Sequence, residues 1–179
     1  MKIACLGWGS LIWRPEGLKI QNKWFEDGPI LPIEFTRQSK DGRMTLIIDK
    51  QAKPVRVLWA LMHIDKLPEA VESLMMREGT KKESIEVLRS SDSTEDAIKS
   101  GILEWLKSKQ LDAAIWTGLS FSEGTNNERP TIESVINYLS KLDYNAQKHA
   151  EEYVRKAPRQ VDTEYRRRIE QEFGWTCTV

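Results

Sequence analysis

The chain has 179 residues, 40% of them hydrophobic and 30% charged, which is enough to bury a core without disulfide or metal staples. Its 27 Lys and Arg balance 27 Asp and Glu, so no net field draws it to nucleic acid or to an anionic membrane, and neither is expected as a partner. The start, MKIACLGWG, lacks an apolar run with a small-residue cleavage site, no stretch approaches membrane-spanning length, and Cys5 and Cys177 show no disulfide framework; the expectation is a single cytoplasmic domain over 1–179 with free thiols.

The first apolar run, KIACL (2–6), ends at Gly7 and predicts a buried strand opening into a loop. PIEFTRQS (32–39) and MTLIID (44–49) flank KDGR, a hairpin signal. VRVLWALMHI (55–64), rich in β-branched and large apolar residues, reads as a central strand. DKLPEAVESLMMRE (65–78) switches to helical spacing and stops before Gly79, a helix-ending residue. ESIEVL (83–88) alternates as a half-buried strand does. SSDSTED then supplies N-cap candidates for a helix to about 109, with Ile98, Ile102, Trp105 and Leu106 on one face. LDAAIWTGL (111–119) is another apolar strand and FSEGTNNERP (121–130) a polar loop. From Thr131 two helical segments follow, one with Ile132, Val135, Ile136, Leu139 and Leu142 in period and one over about 144–157. The cluster YRRRIEQEF (165–173) reads as a solvated helix face. With strands first and helices concentrated late, the pattern predicts an α+β fold: a small mixed, mainly antiparallel sheet or barrel flanked by helices, with a helical part from about 131.

Two stretches ask for a chemical reading. CLGWGSLIW (5–13) runs a strand into two glycines, a serine and two tryptophans. It is not a dinucleotide fingerprint, because the third glycine position is Ile12. Nor is it a hydrolase elbow, which needs glycines two before and two after the serine, where this chain has Trp8 and Ile12. No Gly-Lys-Ser/Thr occurs for a P-loop. What remains is a backbone nest for a carboxylate or oxyanion, made by glycines in special conformations, or a tight turn with the tryptophans in the core.

The second stretch is the end of the helix before Gly79. At about 100° per residue, Leu67, Ala70, Val71, Leu74 and Met75 form one stripe, and Glu78 falls in its middle. A carboxylate there is desolvated and opposed by the helix dipole, an environment that favours its protonated form and suits a general base. The alternatives are an ion pair with Arg77 or another cation, or a frayed last turn that frees Glu78 to solvent. His63 and His149 lie far apart with no metal-like spacing, so core or surface is the expectation for both, and Cys5 reads as a buried inert thiol.

Together these stretches resemble a known family. GWGSLIW, directly after the first strand, is similar to the FGYGSLIW-type loop of the γ-glutamylcyclotransferase-like superfamily, including its ChaC branch, with Trp8 in place of the usual tyrosine. MMREGTKKESIEV, with Glu78 before Gly79 and then a strand, resembles the segment carrying that family's catalytic glutamate. FTRQSKDGRMTL resembles its strand pair and LWALM its following strand, so the resemblance spans roughly residues 1–90 in order. It implies the corresponding fold and cyclisation of a γ-glutamyl compound to 5-oxoproline with release of an amine, without metal or organic cofactor. It assigns the base to Glu78 and substrate binding to the backbone of Trp8, Gly9, Ser10, Leu11, Ile12 and Trp13. A non-catalytic protein that binds a carboxylate-bearing metabolite on the same fold is the competing expectation, and an adaptor using the charged C-terminal helices is a third.

Overall fold

A computed structural model describes residues 1–121 and 128–178; most of the polar loop predicted at 121–130 lies outside the described residues. The chain divides into two compact units. The first comprises Met1–Gly7, Arg14–Leu31 and Arg56–Gly118, the second Trp8–Trp13, Pro32–Val55 and Leu119–Val179. The class is α+β, with five α-helices among the described residues.

In the first unit, β1 (Ile3–Gly7) and β7 (Ala113–Thr117) form the middle of a four-stranded sheet, with β5 (Leu58–Leu61) and β6 (Ile85–Arg89) at its ends. β1 pairs antiparallel with β5, Cys5 opposite Ala60, and parallel with β7, Cys5 opposite Ile115; β6 and β7 are antiparallel. A strand paired on both edges and covered on both faces needs apolar side chains throughout, which is why IACLG carries no alternation and is buried along its length. Helix α1 (Leu67–Glu78) packs on β6 and β7, as does α2 (Ala97–Lys109). α1 ends where Gly79 takes φ +58° and its N–H turns back to Met75 and Met76 carbonyls. α2 starts at Asp96, whose carboxylate accepts from the Ile98 and Lys99 N–H groups at 2.9 and 3.0 Å.

The stretch read as one central strand, 55–64, is two. It breaks at Val57, whose N–H leaves the ladder for the Pro29 carbonyl at 3.0 Å. β4 (Pro54–Arg56) then joins one sheet and β5 another, each at an end of its sheet. Gly28 permits the break, because any side chain there would run into the Val57 carbonyl. The composition of a central strand has a physical source nonetheless. The outer edge of β5 is covered by residues 19–25, through Gln21 N–H to Leu61 O at 2.9 Å and a reciprocal pair between Phe25 and Trp59 at 2.7 and 3.0 Å. Trp59 stacks on Phe25 and meets Trp105 edge-on. Both indole N–H groups donate to Asp27.

In the second unit, β2 (Ile30–Gln38) pairs antiparallel with β3 (Met44–Ile48) across a turn in which Gly42 has φ +85°, and the sheet order is β3-β2-β4. The hairpin read from Asp-Gly is therefore present. The strands form two sheets and no closed barrel among the described residues, which corrects that part of the expectation. Three helices follow, each with a side-chain cap: α3 (Ile132–Ser140) with Thr131, α4 (Tyr144–Lys156) with Asp143 and α5 (Glu164–Phe173) with Thr163.

The cluster over α5 is not all solvated. Arg166 is buried, and its guanidinium donates to the carbonyls of Pro158 (2.7 Å), Ala157 (2.9 Å) and Val161 (3.0 Å) and to Glu170 (3.0 Å), closing the exposed end of α4. Arg167 and Arg168 do pair with Asp162 and Glu172 at the surface. Glu34, inward-facing on β2, is buried as well. Its carboxylate accepts from the Thr163 hydroxyl, from Phe35 N–H at 2.9 Å and from Tyr165 N–H at 3.2 Å, so it fixes the start of α5.

Candidate functional site

The end of α1 holds the first candidate group. Leu67, Ala70, Val71 and Leu74 are buried and Met75 is half-buried, as the stripe requires, and Glu78 continues it with its side chain 18% exposed. The last turn does not fray, because Gly79 caps it. Arg77 Nη1 donates to Glu78 Oε1, so the ion pair considered as an alternative is present. The same guanidinium donates through Nε and Nη2 to the Arg14 carbonyl at 3.0 and 2.6 Å. Arg77 therefore links the Glu78 carboxylate to the residue at which the chain returns from the 8–13 loop.

Glu78 also lies within electrostatic reach of Cys5 in the middle of β1. Burial pushes the Cys5 thiol far up, the Glu78 charge raises it further and Arg77 opposes them. A thiol held protonated is no nucleophile. Cys5 is fully buried, as expected, and both cysteines are free thiols. His63 and His149 are exposed.

The loop at 8–13 belongs to the second unit, whereas Glu78 and both roots of the loop, Gly7 and Arg14, belong to the first. Residues 9–12 make a turn closed by Ile12 N–H to Gly9 O at 3.0 Å. Trp8 is core: it is 7% exposed and its indole N–H donates to Leu46 O at 3.0 Å. Leu11 is buried beside it in the turn, while Ser10, Ile12 and Trp13 are half-buried.

The glycines earn their place differently from the expectation. Gly7 is a strand residue opposite Leu58, and Gly9 does not adopt a left-handed conformation. A Cβ at Gly9 would instead collide with the hydroxyl of Tyr153, with the ring carbon Cζ at 3.3 Å. Close approach, rather than a nest built on positive φ, is the reason for glycine there. Tyr153, from α4, is the organiser that the sequence reading missed. Trp13 and Phe35 both meet its ring edge-on, at centroid distances of 5.3 and 6.1 Å, and Leu46 N–H donates to its oxygen at 3.4 Å. The only signal in the sequence was its place on the buried face of α4, with Ala150 and Val154.

A second polar hub was equally unread. Asp49, buried, accepts from Arg129 Nε at 2.6 Å while Arg129 Nη1 donates to the Tyr165 hydroxyl at 2.7 Å. These groups tie residues before α3 to α5. Among the described residues no group of His, Cys, Asp and Glu is placed to hold a metal ion, and no helix is long and apolar enough to cross a membrane. No family model, no curated protein and no solved structure matches the chain.

Proposed function

We propose that the chain is a γ-glutamylcyclotransferase-like enzyme that cyclises a γ-glutamyl compound, releasing 5-oxoproline and an amine. In this reading Glu78 takes a proton from the substrate's α-ammonium, and the freed nitrogen attacks the γ-carbonyl carbon. The new C–N bond closes the ring, the old amide C–N bond breaks, and the proton held by Glu78 passes to the departing nitrogen. Backbone N–H groups between Trp8 and Trp13 hold the substrate carboxylate or the developing oxyanion. The Ile12 N–H is already committed to Gly9, so that task falls to other amides of the loop. The reading takes the protein to be cytoplasmic and needs no metal or organic cofactor.

The observation that carries this reading is the three-point hold of Arg77, which ties a capped, partly desolvated glutamate to the root of the loop that the resemblance singles out. A base must be positioned before it can act, and a bidentate guanidinium on a main-chain carbonyl does so. The same ion pair also supports a second reading, a non-catalytic protein that binds a carboxylate-bearing metabolite, in which Glu78 is simply neutralised by its neighbour. Incubating the purified chain with a panel of γ-glutamyl amines, amino acids and dipeptides and measuring 5-oxoproline separates the two. Release above the uncatalysed rate supports the enzyme; binding of a panel member with no 5-oxoproline formed supports the second reading and overturns the first.

A further inference from the structure

The turn over residues 9–12 is flanked at both ends by one side chain of α4, and turn, β3 and α4 all belong to the second unit. At its start, a Cβ on Gly9 would collide with the Tyr153 hydroxyl oxygen and lie 3.3 Å from the ring carbon Cζ. Just past its end, the Trp13 ring meets the Tyr153 ring edge-on at a centroid distance of 5.3 Å. A side chain that abuts residues 9 and 13 fixes the span between them.

Tyr153 is itself held from several sides and is buried. Phe35 meets its ring edge-on, and the Arg43 guanidinium lies over the ring face at 5.3 Å. Asp41 in turn holds that guanidinium through Nε at 3.0 Å and Nη2 at 2.7 Å. The tyrosine oxygen accepts from the Leu46 N–H at 3.4 Å, and the Leu46 carbonyl accepts from the Trp8 indole at 3.0 Å. Leu46 of β3 therefore locates both the residue before the turn and the tyrosine packed against it.

The hydroxyl makes the tightest of these contacts. Gly9 has no left-handed conformation to account for it, and the three atoms nearest a Cβ there all belong to Tyr153. A phenylalanine at 153 would leave Cζ as the nearest atom, a contact relieved by a few tenths of an ångström. Within the turn the Ile12 N–H is committed to Gly9 O, whereas among the described residues the N–H groups of Gly9 and Leu11 have no acceptor. Those two amides are open to a carboxylate, and the conformation of the turn sets their direction.

We propose that Tyr153 is a positioning residue for the substrate: its hydroxyl sets the 9–13 turn in the conformation whose Gly9 and Leu11 amides hold the substrate's carboxylate. A helix from the far end of the chain thereby governs affinity at the loop, since a turn already in its binding conformation loses less freedom when the ligand arrives. This role rests on the loop's being the carboxylate site of the proposed reaction.

The probe is 5-oxoproline, which carries the carboxylate and is not turned over, titrated into the full chain and followed by NMR beside the uncharged 5-oxoprolinamide. Wild type is expected to bind the acid roughly tenfold more tightly than the amide. Tyr153→Phe should weaken the acid roughly five- to tenfold. In turnover it should raise KM for a γ-glutamyl compound and leave kcat within about twofold. Gly9→Ala should cost more than roughly tenfold in acid affinity in wild type but less than about threefold on Tyr153→Phe, where the oxygen that the methyl meets is gone. A purely structural tyrosine gives lower melting temperatures with unchanged affinity, and that result overturns the proposal. So does an equal cost of Gly9→Ala in both backgrounds, or no binding of the acid by wild type. The full binding pattern without 5-oxoproline release from γ-glutamyl compounds removes the reaction and leaves the role of Tyr153 standing. Release with affinity and KM unchanged in Tyr153→Phe removes the role and leaves the reaction.

Discussion

Glu78 and Glu34 are both carboxylates withdrawn from water, one in each unit, and they are held by opposite means. Glu78, at the end of α1, has a neighbouring cation: Arg77 pairs with it and reaches on to the Arg14 carbonyl. Glu34, in the middle of β2, has neutral donors, a hydroxyl and two main-chain N–H groups. Burial raises the Glu34 carboxyl above its ordinary value, and the hydrogen bonds from Thr163, Phe35 and Tyr165 only partly oppose that. A charge held by a counter-charge is tied to its partner's presence; a charge held by dipoles organises the backbone that supplies them. The second arrangement is a clamp on the start of α5.

The sharpest way to break this contrast is to neutralise the first acid. Glu78→Gln keeps the shape and cannot accept a proton, so 5-oxoproline release should fall by roughly 10² to 10⁴ with substrate binding retained. Undiminished turnover removes Glu78 from the chemistry. Next in size is removal of its partner. Arg77→Met leaves Glu78 without its cation and the Arg14 carbonyl without its donor. Unfolding in urea should show a loss of about 1–3 kcal/mol, and a variant as stable as wild type would mean that the pair holds nothing in place.

The clamp side is sharpened by Thr163→Val, which removes both the α5 cap and one donor to Glu34. A loss of about 1–2 kcal/mol is expected from the cap alone. Unchanged stability would separate Glu34 from α5. The smallest effect belongs to Glu34→Gln, within about 1 kcal/mol of wild type at neutral pH. Its signature is in the pH dependence. Because the folded value lies above the unfolded value near 4.5, the native state binds the proton more tightly. Glu34 therefore lowers stability as pH rises from the unfolded value through the folded one, and its burial cost is fully present above that window. Melting temperatures of wild type and variant across this range should differ by that slope; parallel curves would show that Glu34 is not buried.

Local elements were legible where their cause is local. The β2–β3 hairpin follows from Asp41-Gly42, the end of α1 from Gly79, and the start of α2 from the acids and hydroxyls before it. The glutamate on the apolar stripe and its pairing with Arg77 were also readable, since helical phase and adjacency suffice. The reason for Gly9 was not: a glycine calls for either a special φ or a close neighbour, and the neighbour, Tyr153, is more than a hundred residues away. Arg166 looked like one surface charge among three, because the carbonyls that bury it become available only when α4 ends beside it.

By itself the sequence determined the α+β class, most of the strands and helices in their order, the burial of Cys5 and the anomaly at Glu78, since each depends on periodicity, capping or the chemistry of neighbouring residues. Only the tertiary structure decided that 55–64 divides between two sheets, that Trp8 belongs to the core, that Glu34 and Arg166 are internal clamps, and that the Thr36 hydroxyl is buried and unpaired among the described residues. The physical reason is the same in each case: whether a polar group is solvated, paired or left unpaired depends on what distant chain is brought against it, and periodicity along the chain carries no record of that.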